Sequence, residues 1–113
     1  MRKWRAGISK ARSMNRLNLK NNLILAPIAG YSDAGMRTLC RRYGAALTFT
    51  EMVSAKGLYY NGANTKSLLF TYPEERPIGV QLFGSEPEII AYAISLPELK
   101  KFDVIDINMG CPV

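Results

Sequence analysis

The sequence predicts an α/β fold built on a parallel sheet, and three observations carry that expectation. Short apolar runs alternate with amphipathic segments in the order β-α-β-α-β-α-β. No two-residue turn joins adjacent strand-like runs, so hairpins are not expected. Three of the four strand-like runs, all but Leu47–Glu51, end in a glycine- or proline-bearing string, as at the carboxyl ends of strands in barrels and open α/β sheets. Right-handed crossovers with helices on one side of such a sheet describe the first half of a (β/α)8 barrel, the TIM barrel fold. A doubly wound open sheet shares this local grammar, and periodicity alone does not separate the two.

The first strand is read at Leu23–Ala26, a compact apolar run closed by Pro27 and Gly30, which suits a buried parallel strand. Ser32 is placed to cap a helix from Asp33 to Tyr43. Met36, Leu39, Cys40 and Tyr43 form its core-facing stripe, with Arg37, Arg41 and Arg42 outside it. On that stripe Cys40 reads as a core residue. Gly44 stands where a left-handed cap belongs. Leu47–Glu51 is the second strand. A short helix is expected around Lys56–Tyr60, then an Asn61-Gly62 turn, then a second short helix capped by Asn64 and running through Phe70. Tyr72–Pro77 is a breaker-rich link, and Ile78–Phe83 is the third strand, closed by Gly84. Ser85-Glu86-Pro87-Glu88 has the spacing of a capping box with proline in the first turn, opening a helix to about Ser95 that Leu96-Pro97 ends. Phe102–Ile107 reads as a buried fourth strand, running straight into Asn108-Met109-Gly110-Cys111-Pro112.

Composition narrows the chemistry. The chain has 113 residues, 48% of them hydrophobic, enough for one core. It has two cysteines, Cys40 and Cys111, in no CxxC pattern, and no histidine. A disulfide framework and a cysteine-rich metal site are therefore not expected, and any chemistry falls to a thiol, a carboxylate, a lysine or a bound cofactor. No apolar run reaches the roughly 18 residues that span a membrane. The net charge of +6 is unevenly placed: Arg2, Lys3, Arg5, Lys10, Arg12, Arg16 and Lys20 contribute +7, and the remainder nets −1. Residues 1–20 thus read as a basic leader outside the fold, and residues 21–113 as the folded part. Three readings of the leader stand side by side: a solvated arm, a nucleic-acid contact and an organellar targeting peptide. Met14 is an alternative start.

The first turn, Ala26-Pro27-Ile28-Ala29-Gly30, lacks the GxGxxG spacing that brings a backbone against a pyrophosphate, which weighs against a nucleotide-binding open sheet. Instead, four strand ends resemble one family. Ala26-Pro-Ile-Ala-Gly-Tyr-Ser-Asp33, Thr50-Glu-Met-Val-Ser-Ala55, Val80-Gln-Leu-Phe-Gly-Ser85 and Asp106-Ile-Asn-Met-Gly-Cys-Pro112 look like the amino-terminal half of the tRNA-dihydrouridine synthases. The likeness runs from about Leu23 to Val113. It implies a partial (β/α)8 barrel of roughly four strands, FMN as cofactor, NADPH or NADH as reductant, tRNA as substrate, a cytoplasmic setting and a monomer. It also implies that the full-length enzyme reduces the C5=C6 bond of uridines, with hydride from the flavin reaching C6 and a cysteine giving a proton to C5.

By that resemblance Cys111 is the general acid. An unperturbed thiol, with a pKa near about 8.5, already holds the required proton at neutral pH and needs no histidine partner. Pro27, Ile28 and Ala29 correspond to the flavin-contacting turn. Gln81 is the residue for the flavin pyrimidine edge, since an amide both donates and accepts and would be costly unpaired in a strand. Asn108 is placed to hold the uracil or flavin edge. Glu51 has two readings, orienting its neighbours or taking part in chemistry. Ile28 stands where many relatives carry methionine. The second half of the barrel, with its usual phosphate site, is not in this sequence, so the piece by itself is expected to be inactive and poorly soluble. A flavin barrel acting on a free pyrimidine, such as a dihydroorotate dehydrogenase, and a non-catalytic remnant or RNA-binding module remain alternatives.

Overall fold

In the computed structural model of the protein, which describes residues 17–110, four strands form one parallel sheet in the order β1-β2-β3-β4. They are β1 (Ile24–Leu25), β2 (Leu47–Ser54), β3 (Ile78–Phe83) and β4 (Val104–Asn108). Sequence order equals spatial order, and every pairing is parallel. An open doubly wound sheet reverses direction at a switch point. This sheet does not reverse, so the winding is that of the first part of a (β/α)8 barrel. Four helices, α1 (Ala34–Arg42), α2 (Ala55–Tyr59), α3 (Ala63–Ser67) and α4 (Pro87–Ser95), and a 3-10 helix (Pro97–Lys101) fill the crossovers.

The core lies between the sheet and its helices. Ile78, Val80 and Leu82 of β3 are buried with Val53 of β2, Leu58 of α2, Ala93 of α4, and Leu99 and Phe102. Strand alternation then turns Gly79, Gln81 and Phe83 to the opposite, inner face of the sheet. Register carries their partners with them: Phe49, Met52 and Ser54 on one side, Val104, Asp106 and Asn108 on the other. Glycine at position 79 is required by packing, because a Cβ there would meet the Phe49 ring at 2.2 Å. The register slips between Phe49 and Met52, where β2 spends one residue more than β3. Such a bulge re-aims side chains, here around Thr50 and Glu51.

Helix α1 departs from the periodicity reading. Its cap is Asp33, whose carboxylate accepts from Met36 N–H, and not Ser32. The apolar stripe faces outward: Met36 and Leu39 are exposed, Tyr43 is 84% exposed, and Cys40 is only half-buried. Arg37 is the residue turned inward, 2% exposed against Glu75 at 1%. Its guanidinium donates to Glu75 Oε2 at 2.8 Å, Ser32 O at 2.9 Å and Phe70 O at 2.8 Å. The other Glu75 oxygen accepts Tyr72 N–H at 2.9 Å. A charge neutralised and fully hydrogen-bonded can be buried, and this one displaces the apolar stripe from the core.

Other boundaries shift for local reasons. Strand β1 is shorter than expected and not buried, with Ile24 50% exposed, because among the described residues it pairs on one side only. Strand β2 runs on to Ser54, which caps α2 by accepting Gly57 N–H. Helix α3 starts two residues early, after Gly62, and stops at Ser67. The expected capping box at Ser85 does not form: Glu86 is the cap position of α4, makes no side-chain cap, and pairs with Lys56 at 3.2 Å. Proline at the first position of α4 and the positive φ of Gly44 (105°) match expectation, and Asn61 takes a left-handed φ of 59° at the expected Asn61-Gly62 turn. A 3-10 helix, Pro97–Lys101, stands where the sequence reads as a link, and β4 starts at Val104, ends at Asn108 and leaves Ile107 exposed.

Candidate active site

All four strands deliver their carboxyl ends to one side of the sheet, and a cavity of about 510 Å³ opens there across β2, β3 and β4. Met52, Phe83 and Ile89 supply apolar wall; Ser54, Lys56, Ser85, Glu86 and Asn108 supply polar groups, and Met109 and Gly110 close one edge. A few convergent polar groups in a largely apolar hollow of this size suit a planar ring system.

Asn108 lines this cavity. Its Oδ1 accepts Gly110 N–H at 2.9 Å, a short turn that redirects the chain at the end of β4, and its Nδ2 faces Met52 Sδ at 3.2 Å. Gln81 lies below the cavity on the same face of the sheet, directly across from Asp106. It is not an unpaired amide: Gln81 Nε2 donates to Asp106 Oδ2 at 2.6 Å. Asp106 escaped the sequence reading, although its spacing of two from Asn108 places both on one strand face.

Pro27, Ile28 and Ala29 are not part of that cavity. They form the turn after β1, at the same end of the sheet but at its outer strand, with Ile28 and Ala29 exposed. Two groups hold this turn. Buried Ser32 Oγ accepts Ile28 N–H at 2.9 Å and donates back to Ile28 O at 3.1 Å. Glu51, re-aimed by the bulge, accepts Gly30 N–H at 2.5 Å, where Gly30 takes a positive φ of 78°. Of the two readings of Glu51, this geometry is the orienting one. Cys111 lies outside the described residues, as does most of the basic leader, residues 1–16.

Away from this face, ahead of β4, a backbone hydrogen bond and the nearby Lys66 hold Glu98 below the usual carboxylate range, and burial, with the Arg37 charge, lowers Lys101. Among the described residues no group of three or more acidic, histidine or cysteine side chains is set to hold a metal ion, and no helix is long and apolar enough to cross a membrane.

A singly wound parallel sheet with its hollow at the strand carboxyl ends defines the class: the amino-terminal part of a (β/α)8 barrel with a site in the usual place. Comparison with known proteins narrows it. Residues 24–113 match the family described as dihydrouridine synthase (Dus). The chain is 52% identical over 96 residues to a probable tRNA-dihydrouridine synthase of Aquifex aeolicus, covering 83% of this chain and 30% of that protein. It is 38% identical over 102 residues to a probable tRNA-dihydrouridine synthase of Treponema pallidum, covering 89% and 30%. For tRNA-dihydrouridine synthase B of Vibrio parahaemolyticus the figures are 42% over 94 residues, 83% and 29%. The chain belongs to the dihydrouridine synthase family, and it spans less than a third of the length of these relatives.

Proposed function

We propose that this chain is the amino-terminal part of an FMN-dependent tRNA-dihydrouridine synthase, a cytoplasmic enzyme that reduces the C5=C6 bond of uridines in tRNA at the expense of NADPH or NADH. The observation that carries the reading is the cavity at the ends of β2–β4, in a chain of this family, with Asn108 in its wall and Gly110 at its edge. Cys111, next to Gly110 in the sequence, takes its role from the family resemblance.

The residues present fit a flavin. Pro27, Ile28 and Ala29 offer a braced apolar turn, and Gln81 offers an amide on the inner face of the sheet. When bound, the flavin supplies the hydride. The chain's own part is the proton and the orientation: Cys111 holds a proton at Sγ and gives it to C5 of the uracil ring, while Asn108 holds the ring edge. The seven charges of the leader add attraction to tRNA phosphates. Family membership favours tRNA over a free pyrimidine as substrate.

Replacing Cys111 with Ala in the full-length enzyme tests this. Uridine reduction should slow by about two to four orders of magnitude, the usual worth of a positioned acid. Flavin reduction by the nicotinamide should be unchanged, since it does not use that proton. Equal slowing of both half-reactions would make Cys111 a structural residue and overturn the mechanism.

A further inference from the structure

Gln81 and Asp106 face each other across the β3–β4 ladder, with Gln81 Nε2 donating to Asp106 Oδ2 at 2.6 Å. A carboxylate offers only acceptors, so it can hold the amide through its nitrogen alone. No described residue donates to Gln81 Oε1, and the side chain is only half-buried on the inner face of the sheet. We propose that Asp106 is a positioning residue that locks the Gln81 amide with its carbonyl oxygen free, so that the site selects a ring edge bearing an imide N–H.

The proposal rests on the flavin reading and deepens it. An amide without a fixed partner presents donor or acceptor to a ligand with equal ease, because its two ends are nearly the same shape. Across a parallel ladder, Asp106 removes that freedom. The charge-assisted bond makes the flipped amide costly, since its oxygen would then face a carboxylate. The isoalloxazine ring carries one imide N–H, at N3. A methyl group on that nitrogen abolishes the donor and leaves the rest of the ring system unchanged.

The test uses the full-length enzyme stripped of flavin, with FMN and N3-methyl-FMN as ligands and flavin fluorescence as readout. Wild type should prefer FMN by about tenfold or more, the equivalent of one net hydrogen bond. Asp106→Asn is nearly isosteric but can donate or accept, so the lock is lost and the preference should fall to about two- to threefold. In a Gln81→Leu background, Asp106→Asn should change neither affinity, because Asp106 acts through Gln81. An unchanged urea midpoint for Asp106→Asn separates this from simple unfolding. A wild type that binds both flavins equally, or an Asp106→Asn variant that keeps the full preference, overturns the proposal and leaves the flavin reading standing. Failure of wild type to bind FMN at all overturns both.

Discussion

Replacing Arg37 with Met probes the structural feature that hydrophobic patterning missed. The guanidinium is 2% exposed and makes three hydrogen bonds, to Glu75 Oε2, Ser32 O and Phe70 O. Methionine fills much of the volume but supplies no donor. Glu75 would remain buried as a charge with Tyr72 N–H as its one remaining partner among the described residues, and two carbonyls would lose theirs. Breaking a buried pair by removing one member costs about 3–5 kcal/mol. The double variant Arg37→Met/Glu75→Leu removes the unpaired charge and leaves only the carbonyls short of donors, so its loss should be about 1–3 kcal/mol. The double variant is thus predicted to be more stable than Arg37→Met alone. Equilibrium urea unfolding of the full-length enzyme, read by far-UV circular dichroism, measures both. A loss under about 1 kcal/mol for Arg37→Met, or a double variant that loses the sum of the two singles, would refute the claim that this pair is buried and mutually dependent.

Two further outcomes follow from the turn after β1 and from the leader. Glu51→Ala frees Gly30 N–H and should lower FMN affinity by about tenfold, a typical worth for a hydrogen bond to a charged group. Glu51→Gln should recover part of that loss, and full flavin content in purified Glu51→Ala would show that the carboxylate does not brace the turn. Deleting residues 1–13 removes Arg2, Lys3, Arg5, Lys10 and Arg12 and should leave flavin content unchanged. It should weaken tRNA binding modestly at low salt and hardly at all at physiological salt, and a loss that persists at high salt would mean shaped contacts in place of general attraction.

What was legible in the sequence follows from which interactions are local. Strand β3 was read to the residue, because Ile78–Phe83 is a β-rich run bounded by Pro77 and Gly84. The parallel order was legible because no hairpin turn joins any two strands. Face assignment failed in α1, since a helical period registers where apolar side chains recur but not that Arg37 meets a carboxylate 38 residues away. The capping box of α4 does not form because the helix starts at Pro87, one residue too late for Ser85 to take the cap position. Asn108 is singled out by its place at a strand end and lines the cavity; Gln81 is singled out by the cost of burying an amide, and its amide is paired with Asp106. The local spacing places Asp106 on the face of Asn108, but its pairing with Gln81 depends on cross-strand register and the orienting role of Glu51 on a bulge, neither of which is written in any local window.

We propose that this chain carries the proton-donating strand end of an enzyme that reduces uridine in tRNA. The most direct measurement is mass spectrometry of nucleosides from an unmodified tRNA transcript incubated with the full-length enzyme, FMN and NADPH or NADH. The prediction is a uridine that gains two hydrogens at one or a few tRNA positions, with the product lost when Cys111 is replaced by Ala. Absence of dihydrouridine with a flavin-loaded wild type, or undiminished product from the Cys111→Ala enzyme, would contradict it.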